Sequence, residues 1–309
     1  MSFSSLLLQQ TINGMSLGAM YALLALGFTL IYGILELINF AHFNVFMMGS
    51  FLALWVLQGF GLTGQTVVLT GLPLIGVLLA ALVVTMTGSG LLGVAIERVT
   101  LRPLRNVTGP AAMITTIGVS YVLFNVILLL TSAQTLNFPN PLPPLHWTVG
   151  GAVVTLQEVL IWIVAPLLML GLWVFVQKSR LGKAMRATAQ DPEAARMMGV
   201  EVDKVIMTAF FLGSALAGAG GMIFGLYYNF TSFLIGFTAG LRAFTAAVLG
   251  GIGNVPGAMV GGFAIGLIEA YSGQFIATEW SDVIIFSMLV LVLVFRPAGL
   301  FGRLAPSKS

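Results

Sequence analysis

Few side chains in this sequence could do chemistry, and their spacing limits what that chemistry is. There is no Cys and there are two His in 309 residues. Thiol and disulfide chemistry are excluded, and no metal site is expected. No nucleophile–base constellation is visible, so no catalytic residue is expected. No GxxxxGK[ST] occurs, so the chain has no P-loop with which to cradle ATP. The stretch GGIGNVPG (250–257) puts Pro256 where a dinucleotide loop needs its third glycine, and no strand precedes it. A tight turn between two spans is expected there. What remains is one polar stretch and a few isolated groups.

The polar stretch is KSRLGKAMRATAQDPEAARMMGVEVDK, residues 178–204. It holds ten of the 23 charged residues, the 23 being 13 Lys and Arg plus 10 Asp and Glu. Within it the spacing predicts one short helix, PEAARMM, with both ends marked. Asp191 can accept a backbone N–H as N-cap, and Pro192 suits the first helical position, where no donor is needed. Glu193 lies at the positive end of the helix dipole. Gly199 can take the left-handed conformation that ends a helix. Ala194, Met197 and Met198 can make an apolar face near Ala195 and Arg196. Two turns are too few to stand alone in water, so this helix needs a surface: lipid headgroups, or a soluble partner protein.

The isolated groups are Arg242 and Glu269, which fall in apolar runs, and Asn39 and His42 in INFAHF. Ionisable groups inside a membrane are costly and default to functional candidates. Arg242 and Glu269 are expected to pair as a structural ion pair or to line a substrate path. Asn39 and His42 are further path candidates, with His42 expected to have hydrogen-bond partners. Glu97 and Arg98 are expected to be anchors at the end of a span.

The elements that must position these groups are membrane helices. The chain is 58% hydrophobic and 7% charged, with mean hydropathy +1.03. Soluble domains carry about 25% charged residues, and a span needs about 20 apolar residues. The fold expected is an all-α, polytopic bundle of eight or nine transmembrane helices in one membrane domain, 1–309. Spans are expected near 11–34, 42–59, 67–96, 110–131, 159–177, 205–229, 238–251, 256–273 and 281–296. The third is long, and Thr87-Gly88-Ser89-Gly90 predicts a tilt or break in it. The seventh is short and reads as a half-helix. Arg98, Arg102 and Arg105, the basic residues of 178–204, and Arg296, Arg303 and Lys308 then share one face, while the opposite loops carry the acids Glu158, Glu279 and Asp282. The positive-inside rule puts the N-terminus outside, the C-terminus and 178–204 in the cytoplasm, and 132–158 outside as a Pro-rich cap. The start of the chain lacks the charged region of a cleaved signal peptide. No nucleic-acid partner is expected; the contacts expected are lipid and protein.

Small residues mark the packing. Gly213, Ala217, Gly221 and Gly225 recur every four residues, a close-approach stripe. Its partner is a helix of this chain or of another subunit, with this chain favoured. Gly14, Gly18 and Ala22 repeat the pattern in the first span. The two spans run in opposite directions, each followed by a polar break and a short apolar segment, which is the form of an inverted repeat.

Glu193-Ala194-Ala195, three residues, then Gly199 resembles the EAA---G loop of ABC-transporter permeases, although the I-x-LP half of that loop is not evident. Further motifs span nearly the whole chain: NGMSLGAMYALLALGFTLIYGILELINFAHFNVFMMGS (13–50), IERVTLRPLR (96–105), SRLGKAMRATAQDPEAARMMGV (179–200), IGFTAGLRAFTAAVLGGIGNVPGAMVGG (235–262) and FRPAGLFGR (295–303). Their order and spacing resemble the LivH-type permeases of branched-chain amino acid importers. Phe43 departs from the Gly usual after INFAH, and Arg242 stands where Lys is common. The resemblance implies a non-enzymatic transport subunit of a bacterial inner-membrane ABC importer. It implies Asp191–Arg196 and Gly199 as the coupling helix for one of two ATPase subunits. It also implies a second permease subunit, identical or LivM-like, and a periplasmic binding protein. ATP would be bound by the partner subunits, so the chain itself would need no cofactor. The substrates implied are leucine, isoleucine and valine, or, in related systems, urea, amides and aromatic acids. A stand-alone channel or secondary transporter is the alternative from the residues alone.

Overall fold

A computed structural model describes residues 2–63, 68–105 and 110–302. Arg303 and Lys308, used above for orientation, lie outside the described residues, as does the first residue of the expected span 67–96. In chain order the helices are α1 (Phe3–Leu35), α2 (Ala41–Gly59), α3 (Gly71–Ile96), α4 (Ala111–Leu130), α5 (Leu156–Lys178), α6 (Arg180–Gln190), α7 (Pro192–Met197), α8 (Val202–Tyr228), α9 (Ile235–Gly250), α10 (Val255–Phe275) and α11 (Thr278–Phe295). Eight of them are long and apolar enough to cross a membrane, and the protein is an integral membrane helical bundle. The 16-residue α9 is apolar. At 1.5 Å per residue it spans about 24 Å, short of a hydrocarbon core of about 30 Å.

The ends of the helices sort into two faces. On one, β1 (Leu136–Asn137) pairs antiparallel with β4 (Phe230–Thr231), and β2 (His146–Val149) pairs with β3 (Ala152–Thr155) in a hairpin. The Gln9 side chain exchanges hydrogen bonds with the Val153 backbone there, at 3.1 and 2.8 Å. The start of α1 and the end of α8 therefore meet the same loop, and the two helices run antiparallel. The strands of this cap were not expected: its prolines interrupt any periodicity the sequence offers. On the opposite face Arg102 and Arg105 reach Asp203 at the start of α8. There too the chain after α11 returns to the end of α9, where the Leu300 N–H donates to the Leu249 carbonyl at 2.8 Å.

The helix pairings repeat with reversed sense. α1 packs most extensively on α10, and α8 on α3; α1 also meets α9, as α8 meets α2. The adjacent pairs α2–α3 and α9–α10 match, as do α2–α4 and α9–α11, while α1–α8 and α2–α9 are central. This is an inverted repeat, α1–α4 against α8–α11, joined by α5, α6 and α7. α1 is buried almost throughout; α4 and α11 are mostly exposed.

The third span has no break at the small residues. α3 runs unbroken through Thr87–Gly90, and its irregularity lies after it, in a π-turn at Glu97–Leu101 and a 3-10 turn at Arg102–Leu104. The small residues serve close packing instead. A side chain at Gly90 would meet the Phe211 ring and one at Gly93 the Phe210 carbonyl, both on α8. The turn at 250–257 is a connection between α9 and α10, with left-handed backbone at Gly251 and Gly253 and Asn254 capping α10 through the Gly257 N–H at 3.0 Å.

Candidate functional site

Around residues 178–204 the chain builds two helices. Ser179 caps α6, accepting from the Gly182 N–H at 2.8 Å. Asp191 caps α7, its Oδ1 accepting from the N–H groups of Glu193 and Ala194 at 2.9 and 3.0 Å, with Pro192 at the first helical position. At the other end Gly199 has φ +81°. Its N–H donates to the Arg196 carbonyl, and the Val200 N–H to that of Ala195, both at 3.0 Å. This paired closure satisfies carbonyls that a helix end otherwise leaves bare. Of the apolar residues, Ala195 is the one turned inward; Met197 and Met198 are 83% and 85% exposed, side by side with the exposed Arg196. The expected single helix thus has a companion. α6 places Met185 and Thr188 inside and Arg180 and Lys183 outside. It folds back on the end of α5, with the Arg186 guanidinium donating to the Val176 carbonyl.

Beneath α7 the turn after α3 supplies charge. Arg105 bonds the fully buried carboxylate of Glu97 and, through Nη1 at 2.6 Å, Asp203; Arg102 reaches the other Asp203 oxygen, also at 2.6 Å. Glu97 is thus an anchor between α3 and α8, while Arg98, expected beside it as an anchor, is in no ion pair among the described residues. The pairing of Arg105 with Asp203 was not read from sequence, because the contact joins residues nearly a hundred apart.

Within the bundle, Arg242 and Glu269 come together. Arg242 Nη1 lies 2.5 Å from Glu269 Oε1 and donates to the Tyr21 hydroxyl at 3.0 Å. Tyr21 donates to Glu269 Oε2 at 2.7 Å, and Arg242 Nε to Asp282 Oδ1 at 2.8 Å. One planar guanidinium therefore ties α9 to α1, α10 and α11, which a point-charge ammonium could not do with the same geometry. Glu279 and Asp282, expected as loop acids, lie in the first turns of α11, and Asp282 is a partner of Arg242. Glu158 likewise closes the capping box of α5 with Thr155.

The INFAHF turn sits elsewhere. Asn39 is buried, and its Oδ1 accepts from the Ala41 N–H at 3.1 Å, starting α2. His42 is fully buried against Gly27 and the Phe28 ring, whose centroid is 4.7 Å from its own. Hydrogen-bond partners were expected for it; the backbone of Leu24 on α1 is its polar neighbour, although neither ring nitrogen meets strict hydrogen-bond geometry. Phe43 fills the space beside Gly240 of α9, so the close approach there is made by α9 glycines. The structure does not join Asn39 and His42 to the Arg242 cluster.

The stripe on α8 meets this chain. Gly213 faces Gly27 of α1, Gly221 the backbone of Phe46 and Ser50 on α2, and Gly225 the Phe138 ring; Ala217, between them, is fully buried. Gly14 and Gly18 meet Leu267 and Phe263 of α10, and Ala22 meets Gly262.

Comparison with known proteins falls on this whole arrangement. The family model described as "Branched-chain amino acid transport system / permease component" matches residues 10–293. The chain is 41% identical over 301 residues to the high-affinity branched-chain amino acid transport system permease protein LivH of Escherichia coli (strain K12), covering 96% of each. It is 39% identical over 300 residues to the corresponding protein BraD of Pseudomonas aeruginosa, again covering 96% of each. A probable permease LivH of Methanocaldococcus jannaschii is 28% identical over 91% of this chain and 88% of its own. No solved structure matches.

Proposed function

The chain belongs to the family of branched-chain amino acid transport system permease components, and from that membership we propose that it is the membrane subunit of an ATP-driven importer for leucine, isoleucine and valine. It is a transport subunit and not an enzyme. Family membership favours this reading over a stand-alone channel or secondary transporter. As an ABC-transporter permease component it works with an ATPase and a substrate-binding protein. The finer composition we propose is two ATPase subunits, which carry the ATP, and a second permease, identical or paralogous. The membrane is the bacterial inner membrane, with α7 on the cytoplasmic side and the strand-bearing cap outside, since the described arginines and lysines of the loops gather at the α7 face.

The observation that carries the coupling assignment is α7 itself. A six-residue helix closed at both ends, with Met197, Met198 and Arg196 projecting, is a rigid peg with an unsatisfied apolar tip. Asp191, Pro192 and Gly199 fix its ends, Glu193 reinforces its start, and Ala194 and Ala195 let it lie close to the bundle. Motion of the peg passes through Val200 into α8, the pivot helix of the second half. The two inverted halves then rock about the α1–α8 contact, opening the path to either side in turn. The Arg242–Glu269 cluster lies off the α7 face, and its role is to lock α9–α11 to α1.

The test replaces Glu193 and Gly199 together. Retention of the ATPase subunit on purification and ATP-dependent uptake of labelled leucine are both expected to fall while membrane insertion is normal. Leucine flux without ATP, in membranes where no ATPase co-purifies with the unaltered chain, contradicts the importer reading.

A further inference from the structure

Where the two inverted halves meet, a pocket of about 380 Å³ opens beside α4. Phe40, from the turn before α2, and Ile117, Tyr121 and Phe124 of α4 line it from the first half; Leu234 and Phe237, at the start of α9, line it from the second. Behind them Asn44 Nδ2 donates to the Ser120 hydroxyl and carbonyl, both at 2.7 Å, so these two residues are tied to each other. No charged side chain is among the described residues of the wall. Ring and aliphatic surface is what the pocket presents: Leu234 and Phe237 are 55% and 59% exposed, and Phe40 and Phe124 are half-buried.

The depth of the pocket separates a solute from lipid. α4 is 20 residues long, about 30 Å at helical rise, which matches the hydrocarbon core, and Tyr121 falls at its middle. Tyr121 is 65% exposed, and Asn125, one turn on along the same face, is exposed too. Polar side chains at that depth are costly against lipid and face protein or a water-filled path. Transported solutes bind near the bilayer midplane at the interface of repeats, which is where this pocket lies. Its volume falls within the roughly 300–1,000 Å³ of small-molecule pockets. We propose that the pocket holds the branched aliphatic side chain of the transported amino acid, with the ammonium and carboxylate left in its open mouth. This names the membrane site of the proposed importer and rests on that reading. Each half supplies one wall, so the rocking of the halves changes the width of the pocket and releases the side chain.

The experiment irradiates the complete transporter, with its binding protein, in lipid nanodiscs with a diazirine analogue of leucine and maps the adducts by peptide mass. Adducts within 117–124 or 234–237, removed by excess leucine, are expected. A diazirine-tailed phospholipid that labels the same residues and is not displaced by leucine assigns the pocket to lipid and overturns the site. The second arm narrows the pocket with Leu234→Trp, at a side chain already exposed. In proteoliposomes its leucine uptake should fall about tenfold relative to its valine uptake, the worth of one methylene in a close-fitting pocket, with the ATPase subunit retained. Equal loss for the two amino acids, or no loss, overturns the site. Leucine adducts on the binding protein with none in the pocket overturn this site alone. No adduct on either, with no uptake of any aliphatic amino acid, overturns the importer reading and this site with it.

Discussion

Arg242 sets one guanidinium against Glu269, Asp282 and Tyr21 on three different helices. Its side chain and that of Glu269 are 19% and 14% exposed, so each is largely withdrawn from water and depends on the other. Removing one member of such a pair leaves a charge without compensation. Glu269→Gln should cost about 2 kcal/mol, less than the full penalty because Asp282 still faces the arginine. Arg242→Gln should cost more, because two carboxylates then face each other. Thermal unfolding in detergent should rank the variants in that order, with the double change Arg242→Gln/Glu269→Gln more stable than Arg242→Gln alone. The pairing was legible in the sequence because ionisable residues are so rare in apolar runs. Tyr21 was not: an aromatic among leucines looks like core, and its partner lies 248 positions away.

Helices in this bundle are held by where their backbones can touch. Glycine at 221 lets α8 lie against the main chain of α2, and an added methyl would run into the Phe46 carbonyl and the Ser50 nitrogen, neither of which can swing aside. Gly118 on α4 faces open space. Gly221→Ala should therefore lower the yield of folded protein in membranes severalfold, while Gly118→Ala should leave it unchanged or raise it, because alanine favours helix by about 1 kcal/mol. Equal yields would refute close packing as the function of the stripe. Each span was legible as a helix, but its buried face was not, because a membrane helix is apolar all round. Only the spacing of small residues betrayed the contact. At Thr87–Gly90 small residues read as a tilt or a break; there is no break, and they receive α8. α6 escaped notice because its sequence, RLGKAMRATAQ, is polar on average; its inward residues, Met185 and Thr188, are sparse.

At the scale of the molecule, two inverted halves enclose α1 and α8, and the one segment outside their symmetry carries the exposed peg. The reversed order of pairing was legible as two small-residue spans followed by polar breaks; the reciprocal contacts of α3 with α8 and α10 with α1 were not, because they join distant stretches with no shared signature. On our proposal, ATP-driven motion enters this fold at α7. The chain has no native cysteine, so Met197→Cys carries a single, exposed thiol at the tip of the peg. The decisive measurement attaches a thiol-directed photo-crosslinker there in membranes containing the complete transporter. One dominant product is expected, a covalent adduct between this chain and the ATPase subunit, with its yield changing on addition of ATP. If the crosslinker instead captures lipid, or nothing, while the ATPase remains bound to the complex, the coupling contact lies elsewhere than α7.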